Sequence, residues 1–462
     1  MTGPRQLDAA PAVVGALLTF VFAYEASVHG GLFSLGLLVA IALFLVAVYA
    51  FLAVPHIAVA VTIPFFALLP SLKVLVASRL GPSKDVIVLA AITAGIPMLV
   101  RRQRSERGPA ADHWLVVSAA LLLAIYVLNV GGRHGVAWAQ GVRLVGEPLL
   151  LLLAGLGLAE PRRTLRWALR SLIATACFVA VVGLAQQGLG QWRLVGYGYS
   201  FGLQVRTYHG HLRSFGTLDE PFAYAAFLLL GLAAVLFSMR RGVGRTLCAA
   251  VLLLGTAASI VRTAAVIVLA LLALELARAR RVVAAIAFAS AVVALAVALL
   301  VNAQGTESRT YQSSSTALTL NGRTSAWKTA LGSPTQWLIG QGVGAVGTAA
   351  TRARYTLTQT STQALKGQTR AVDSGYFATV ADVGVLGLAV LLALFGRAVV
   401  LARAATARTR NAGWVALGVL AVMLIDALTR ASFTGFPSAF LGMLLLGIAL
   451  AAADATPRPG ER

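Results

Sequence analysis

Residues 246–277 read TLCAAVLLLGTAASIVRTAAVIVLALLALELA. Two apolar runs, 246–260 and 264–277, are joined by Val261–Thr263, with Arg262 at the centre. The stretch is fenced by two basic clusters, Arg240-Arg241-x3-Arg245 before it and Arg278-x-Arg280-Arg281 after it. Runs this apolar need lipid around them. Basic clusters favour the cytoplasmic side of a membrane. The chain must therefore turn back between the two clusters, which puts Arg262 at a turn on the far side. Ser259, three residues earlier, is expected on the same side of a helix as Arg262.

That reading extends to the whole chain. It has 462 residues, is 58% hydrophobic and only 12% charged, and its mean hydropathy is +0.83. A water-soluble chain of this length is not so poor in charge. Apolar runs recur at 12–27, 33–53, 57–70, 86–100, 114–128, 148–159, 171–187, 221–238, 246–260, 264–277, 282–301, 374–396, 414–428 and 437–453. In lipid the backbone must satisfy its own polar groups, so the runs are helices or re-entrant pieces. The expected fold is all-α, a polytopic membrane protein of about 12–14 transmembrane helices. One membrane domain, 1–462, is expected, because no polar stretch is long enough to fold separately. The segment before the first run, Met1–Asp8, is short, and no cleavage site stands out after it, so a retained first helix is expected.

The net charge is +22. Three more basic clusters, Arg101-Arg102-x-Arg104-x2-Arg107, Arg162-Arg163-x2-Arg166-x3-Arg170 and Arg403 through Arg410, join the two above. Fourteen spans put all five clusters and both termini on the cytoplasmic side. The charge is scattered among apolar runs, which argues against nucleic acid as a partner. Close to half of the 38 Lys and Arg fall on the opposite face, among them Arg206, Arg213, Arg262, Arg323, Arg352, Arg354 and Arg370. Topology does not call for them there; an anionic partner does.

Two loops on that face are long and polar, residues 188–220 and 303–373, and long loops carry function. Leu72–Val76 reads equally as a short interfacial helix or a connecting loop. In the first long loop Arg206, His209 and His211 precede Arg213-x2-Gly216-x4-Pro221. Pro221 suits the first turn of a helix. Asp219 and Glu220 either cap that helix or serve a site. In the second, Gly322-Arg323-x3-Trp327 is followed by glycines 340, 342 and 344, and then by Arg370 and Asp373-Ser374-x-Tyr376. A guanidinium holds phosphate through two parallel hydrogen bonds. The glycines lack a strand–turn–helix setting and read as a tight turn beside the site, not a nucleotide fingerprint. Asp373 reads either as a helix cap or as a carboxylate that takes a proton. Asp382, deeper in the same run, needs a partner such as Arg. Cys177 and Cys248 lie inside apolar runs without a CxxC neighbour, so neither a disulfide nor a metal is expected. No HExxH, DxD, Walker A or GxSxG motif is present.

In order and placement these motifs resemble the O-antigen ligase and O-antigen polymerase superfamily of membrane glycosyltransferases. The residues that carry the likeness are Arg213-Ser-Phe-Gly216 with Pro221, Ser259-x2-Arg262, Gly322-Arg323-x3-Trp327 with Gly340–Gly344, and Asp373-Ser374-x-Tyr376 with Gly384-x2-Gly387. They cover residues 206–396. The resemblance implies a type C glycosyltransferase fold and a glycan donor on polyprenyl diphosphate, used at the outer face of the cytoplasmic membrane. It also implies inverting transfer to a glycan acceptor without metal or cofactor. Arg213, Arg262 and Arg323 correspond to the family's diphosphate-holding arginines, with Arg206 beside them; the family usually has adjacent Ser-Arg where this chain has Ser259-x2-Arg262. Arg370, Tyr376 and Trp327 are second-tier contacts. Where ligases of the family carry His-Asn, this chain reads Val372-Asp373-Ser374. The absent His favours a polymerase with Asp373 as base, and His209 or His211 stands next in line. Two alternatives remain: a ligase that moves a glycan to a lipid or protein, and a flippase or transporter of an anionic lipid. A transporter needs charges and broken helices near the midplane, whereas the predicted spans hold only Glu25, Glu275, Asp382 and Asp426 as acids.

Overall fold

A computed structural model describes residues 31–77, 80–104, 112–129, 132, 135–202, 204–208, 210–280, 334–345, 349, 374–408 and 411–454. The expected helices at 12–27 and 282–301 lie outside the described residues, as does most of loop 303–373. His209, Arg323, Trp327, Arg352, Arg354, Arg370 and Asp373 lie outside them too.

Before the first long loop the helices are α1 (Gly31–Ala53), α2 (Pro55–Leu75), α3 (Ser83–Arg104), α4 (His113–Leu128), α5 (Val136–Gly157) and α6 (Pro161–Gly196). A small antiparallel hairpin follows, β1 (Arg206–Tyr208) and β2 (His211–Arg213). The chain continues with α7 (Pro221–Ser238), α8 (Val243–Ala258), α9 (Arg262–Arg278), the short α10 (Pro334–Ile339), α11 (Gly375–Arg408), α12 (Ala412–Asp426) and α13 (Ser438–Asp454). Among the described residues six helices are long and apolar enough to cross a membrane: α2, α3, α5, α6, α7 and α11. The chain is thus a helical, multi-pass membrane protein by length and composition.

Several elements outrun their apolar runs. Helix α5 begins at Val136, well before residue 148, because its charges are matched. Arg143 Nε donates to Glu147 Oε1 at 2.8 Å, Lys84 Nζ lies 3.3 Å from Glu147 Oε2, and Asp85 pairs with both Lys84 and Arg143. Leu72–Leu75 is the last turn of α2 and not a separate interfacial helix. Both α6 and α11 are broken by a glycine at positive φ, Gly190 (φ 74°) and Gly384 (φ 73°). Beyond its break α6 runs on to Gly196, so the first long loop is helical at its start.

The core is made of helix seams. Helix α5 packs against α3 and α13, α6 against α2, α7 and α8, and α12 against α7, α9 and α11. At the α5–α13 seam a Cβ on Gly155 would lie 2.6 Å from Leu444 O, so the backbones touch where only glycine fits. Cys177 on α6 and Cys248 on α8 are free cysteines on helices that pack against each other.

Alternating helices give the bundle two ends. The hairpin, the α8–α9 turn and the α12–α13 connection share one. The basic clusters of α3, α6 and α9 lie at the other. There Arg102 donates to Leu156 O and Leu158 O at 3.2 and 2.8 Å, and Arg278 donates to Leu236 O at 2.9 Å. These are open carbonyls at helix C-termini, which cations satisfy.

Candidate functional site

The site is built on the hairpin. Its register sets Arg206 opposite Arg213 and Tyr208 opposite His211. Side chains alternate faces along a strand, so Arg206, Tyr208, His211 and Arg213 share one face and Thr207 and Leu212 the other. Gly210, at φ 79°, supplies the left-handed conformation the tight turn needs. On the reverse face Leu212 packs with Leu194, Tyr199, Val205 and Phe215 in a small core of its own. That core is tied to α2: Tyr199 Oη donates to Ser71 Oγ at 2.9 Å and Thr217 Oγ1 to Ala67 O at 2.8 Å.

Two amides of α6 clamp the chain as it leaves the hairpin. Gln186 Oε1 accepts from Phe215 N and Gly216 N at 3.1 and 2.9 Å, while its amide donates to Gly216 O at 2.7 Å. Gln187 donates to Leu212 O at 2.9 Å and to Ser214 Oγ at 2.7 Å. Behind them Tyr224 is buried in a notch of three glycines. A Cβ on Gly216 would lie 2.7 Å from its ring and one on Gly255 2.9 Å from its hydroxyl; one on Gly183 would collide with the same hydroxyl. The helix seams α6–α7–α8 and the strand β2 are locked together here.

Arg213 is only 6% exposed. Its Nε donates to Ser259 O at 3.2 Å and its guanidinium lies 4.7 Å from the Phe222 ring centroid. Among the described residues no carboxylate reaches ion-pair range of it. Burial, and then the neighbouring Arg206 and Arg262 guanidiniums, lower its pKa from 12.5 to about 10, against the pull of Glu220. It stays charged at neutral pH, in a place that resists the charge. Like charges directly opposite on a hairpin also oppose folding.

Arg262 does sit at the turn, as its position in the sequence implies. It opens α9, while Ser259 ends α8, so the two do not share one helix face. Arg262 donates to Tyr208 Oη at 2.8 Å and is exposed. Arg206 lies 3.7 Å from Glu220.

Glu220 stands at the N-cap position of α7 but makes no capping hydrogen bond. Its carboxylate is between Arg206 and Arg430, 3.2 Å from the latter. Asp219 pairs instead with Lys73, at 3.5 Å. Neither acid caps the helix. Arg430 was not apparent from sequence, because its segment reads as a short connection. Its side chain is 13% exposed and also faces Asp426 at 3.5 Å, which in turn accepts from Ser432. The Gly375 amide donates to Ala427 O and Arg430 O at 2.8 Å each, so α11 begins on the Arg430 turn. Among the described residues four guanidiniums thus gather here (Arg206, Arg213, Arg262 and Arg430) against two carboxylates, Glu220 and Asp426.

Other expected residues are placed differently. Tyr376 donates to Leu424 O at 2.9 Å and its ring meets Phe433, so it ties α11 to α12. His211 is exposed on the hairpin face. Gly340, Gly342 and Gly344 do form a tight turn at positive φ, but it packs on the α11 break and on α5. Gln341 N donates to Ala381 O at 2.7 Å and Val343 N to Asn129 Oδ1 at 2.6 Å. Asp382, expected to need an Arg, is met by the Gly344 amide at 3.4 Å; among the described residues no cation pairs with it.

Among the described residues Arg213 is thus a buried cation without a carboxylate partner, flanked by other guanidiniums. Hydrogen bonds to Ser259 O and Tyr208 Oη and the Phe222 ring hold Arg213 and Arg262 in place. No protein-family model matches the chain, and no curated protein matches it.

Proposed function

We propose that the chain is a glycosyltransferase of the cytoplasmic membrane that polymerises glycan repeat units carried on polyprenyl diphosphate. The observation that carries the reading is Arg213, a buried guanidinium with no carboxylate partner among the described residues, facing Arg206 across the hairpin. A diphosphate relieves that arrangement; a neutral ligand does not. The finer reading includes about 12–14 spans, a type C glycosyltransferase fold and a site on the extracytoplasmic face, and it rests on the charge clusters and the resemblance.

In the proposed reaction an acceptor sugar hydroxyl attacks the donor's anomeric carbon. The new glycosidic C–O bond forms as the bond to the diphosphate oxygen breaks, inverting the centre. The hydroxyl proton passes to a carboxylate, with Asp373 as candidate, and polyprenyl diphosphate leaves. Arg206, Arg213, Arg262 and Arg323 stabilise the charge that grows on the leaving group. The leaving group is already activated, so the reaction calls for no nucleotide or cofactor.

The test is transfer in liposomes with a lipid-linked repeat unit. A product ladder without a second acceptor supports the polymerase. A single shift only on adding a lipid or protein acceptor means a ligase instead. One observation favours a second reading, transport: the break at Gly384, beside half-buried Asp382, is of the kind that lines transport paths. Donor that crosses the bilayer with no product formed would replace the enzyme with a flippase.

A further inference from the structure

Glu220 is a carboxylate placed where the proposed ligand's phosphate belongs. It bridges Arg206 at 3.7 Å and Arg430 at 3.2 Å. It stands at a helix N-cap yet leaves the helix amides alone. It is 30% exposed, so water and ligand reach it, while Arg430 is 13% exposed and held from behind by Asp426. Removing Glu220 would therefore leave Arg430 in place, with Asp426 still anchoring it. Arg206, which neighbours Arg213, and Arg430 would then lose the carboxylate between them.

We infer that Glu220 is a built-in stand-in for the donor's diphosphate and that Arg430 is a further phosphate-binding arginine. In the ligand-free protein Glu220 keeps Arg206 and Arg430 aligned and offsets their repulsion. The incoming anion takes both guanidiniums, and the carboxylate swings out toward solvent. The exchange trades one anion for another, so the site never exposes a bare cluster of like charges. It also makes binding of the anion weaker than the arginines alone would give, which suits a site that must release polyprenyl diphosphate after every turnover. The inference rests on the diphosphate reading above.

The probe is inorganic pyrophosphate, titrated calorimetrically into the full-length protein in detergent. Glu220→Gln keeps the shape and removes the competing charge, so it should bind pyrophosphate about tenfold more tightly than wild type. Arg430→Lys, which loses the fork but keeps the charge, should bind about tenfold more weakly. Arg213→Lys serves as the control for the underlying reading. If Arg213→Lys weakens binding while Glu220→Gln and Arg430→Lys match wild type, the stand-in is wrong and the diphosphate site survives. If wild type does not bind pyrophosphate at all, both fall. Should Glu220→Gln not yield monodisperse protein, Arg430→Lys decides alone: unchanged affinity overturns the inference and the tenfold loss upholds it.

Discussion

The two ends of the bundle use the same side chain in opposite ways. At the end that carries the basic clusters, guanidiniums are discharged locally. Arg245 and Arg241 reach Glu275 Oε1 at 2.7 and 3.4 Å, and Arg278 reaches its other oxygen at 3.7 Å. At the hairpin end, among the described residues, Arg213 is buried without such a partner, Arg206 is set opposite it, and Glu220 and Asp426 pair with Arg206 and Arg430. The first arrangement holds helices together. The second sets like charges against one another, which opposes folding. What separates the two ends is burial: among the described residues Arg213 is 6% exposed with no carboxylate in ion-pair range, whereas Arg241, Arg245 and Arg278 share Glu275.

The comparison breaks most sharply at Arg213. Arg213→Met should lower transfer about 100-fold or more, the loss seen when one donor to a developing anion is removed. Its melting temperature should stay level or rise, since a buried charge has been replaced by a side chain of similar length. A large fall in stability would mean that Arg213 is structural, like its counterparts at the other end. Glu275→Gln is the converse. It should cost about 2 kcal/mol of stability by leaving partly buried guanidiniums unpaired, with transfer per folded molecule unchanged; melting in detergent and the liposome assay read the two.

Asp112 gives a smaller effect with a pH signature. It accepts from Arg397 Nε at 3.0 Å and caps α4 through Leu115 N at 3.0 Å. The Arg397 hydrogen bonds, with help from the cap, hold its carboxyl below the ordinary 3.8. A depressed acid stabilises the fold above its unfolded value and loses that contribution as pH falls through its folded value. Asp112→Asn should therefore melt lower than wild type by about 1 kcal/mol from pH 5 to 8, and the gap should close below pH 3.8. The smallest effect belongs to Arg241, whose side chain is 74% exposed. Arg241→Ala should change stability by less than about 0.5 kcal/mol, and a larger change would show that the pairing at this end is tighter than its exposure implies.

Much of this was legible in the sequence, and the rest was hidden for definite reasons. Twelve of the fourteen apolar runs fall on described helices, because hydropathy is a sum over many residues and tolerates local error. The turn at Arg262 followed from the flanking clusters. Helix α5 was cut short because Arg143 and Glu147 look like loop residues until Asp85 and Lys84 are placed beside them. The hairpin was read as loop, since strands of three residues with Arg, His and Tyr on one face carry no apolar alternation. Arg430 and the Gln186–Gln187 clamp depend on partners more than twenty residues away, and spacing along one chain does not report them. The glycines at 340–344 were read as a turn, which they are; their position against Gly384 depended on the unseen break in α11.

The notch around Tyr224 carries a consequence for descent. Leucines on a lipid-facing helix can exchange with isoleucine, valine or methionine at little cost. Gly183, Gly216 and Gly255 cannot drift in that way while Tyr224 keeps its place, because any side chain at one of them strikes the same ring or hydroxyl. The four positions lie on three helices and the segment after the hairpin, so they must change together or not at all. A distant relative whose helices have lost all resemblance letter by letter would still show three glycines and one tyrosine in this order of packing, and with them a hairpin held in place to present its arginines.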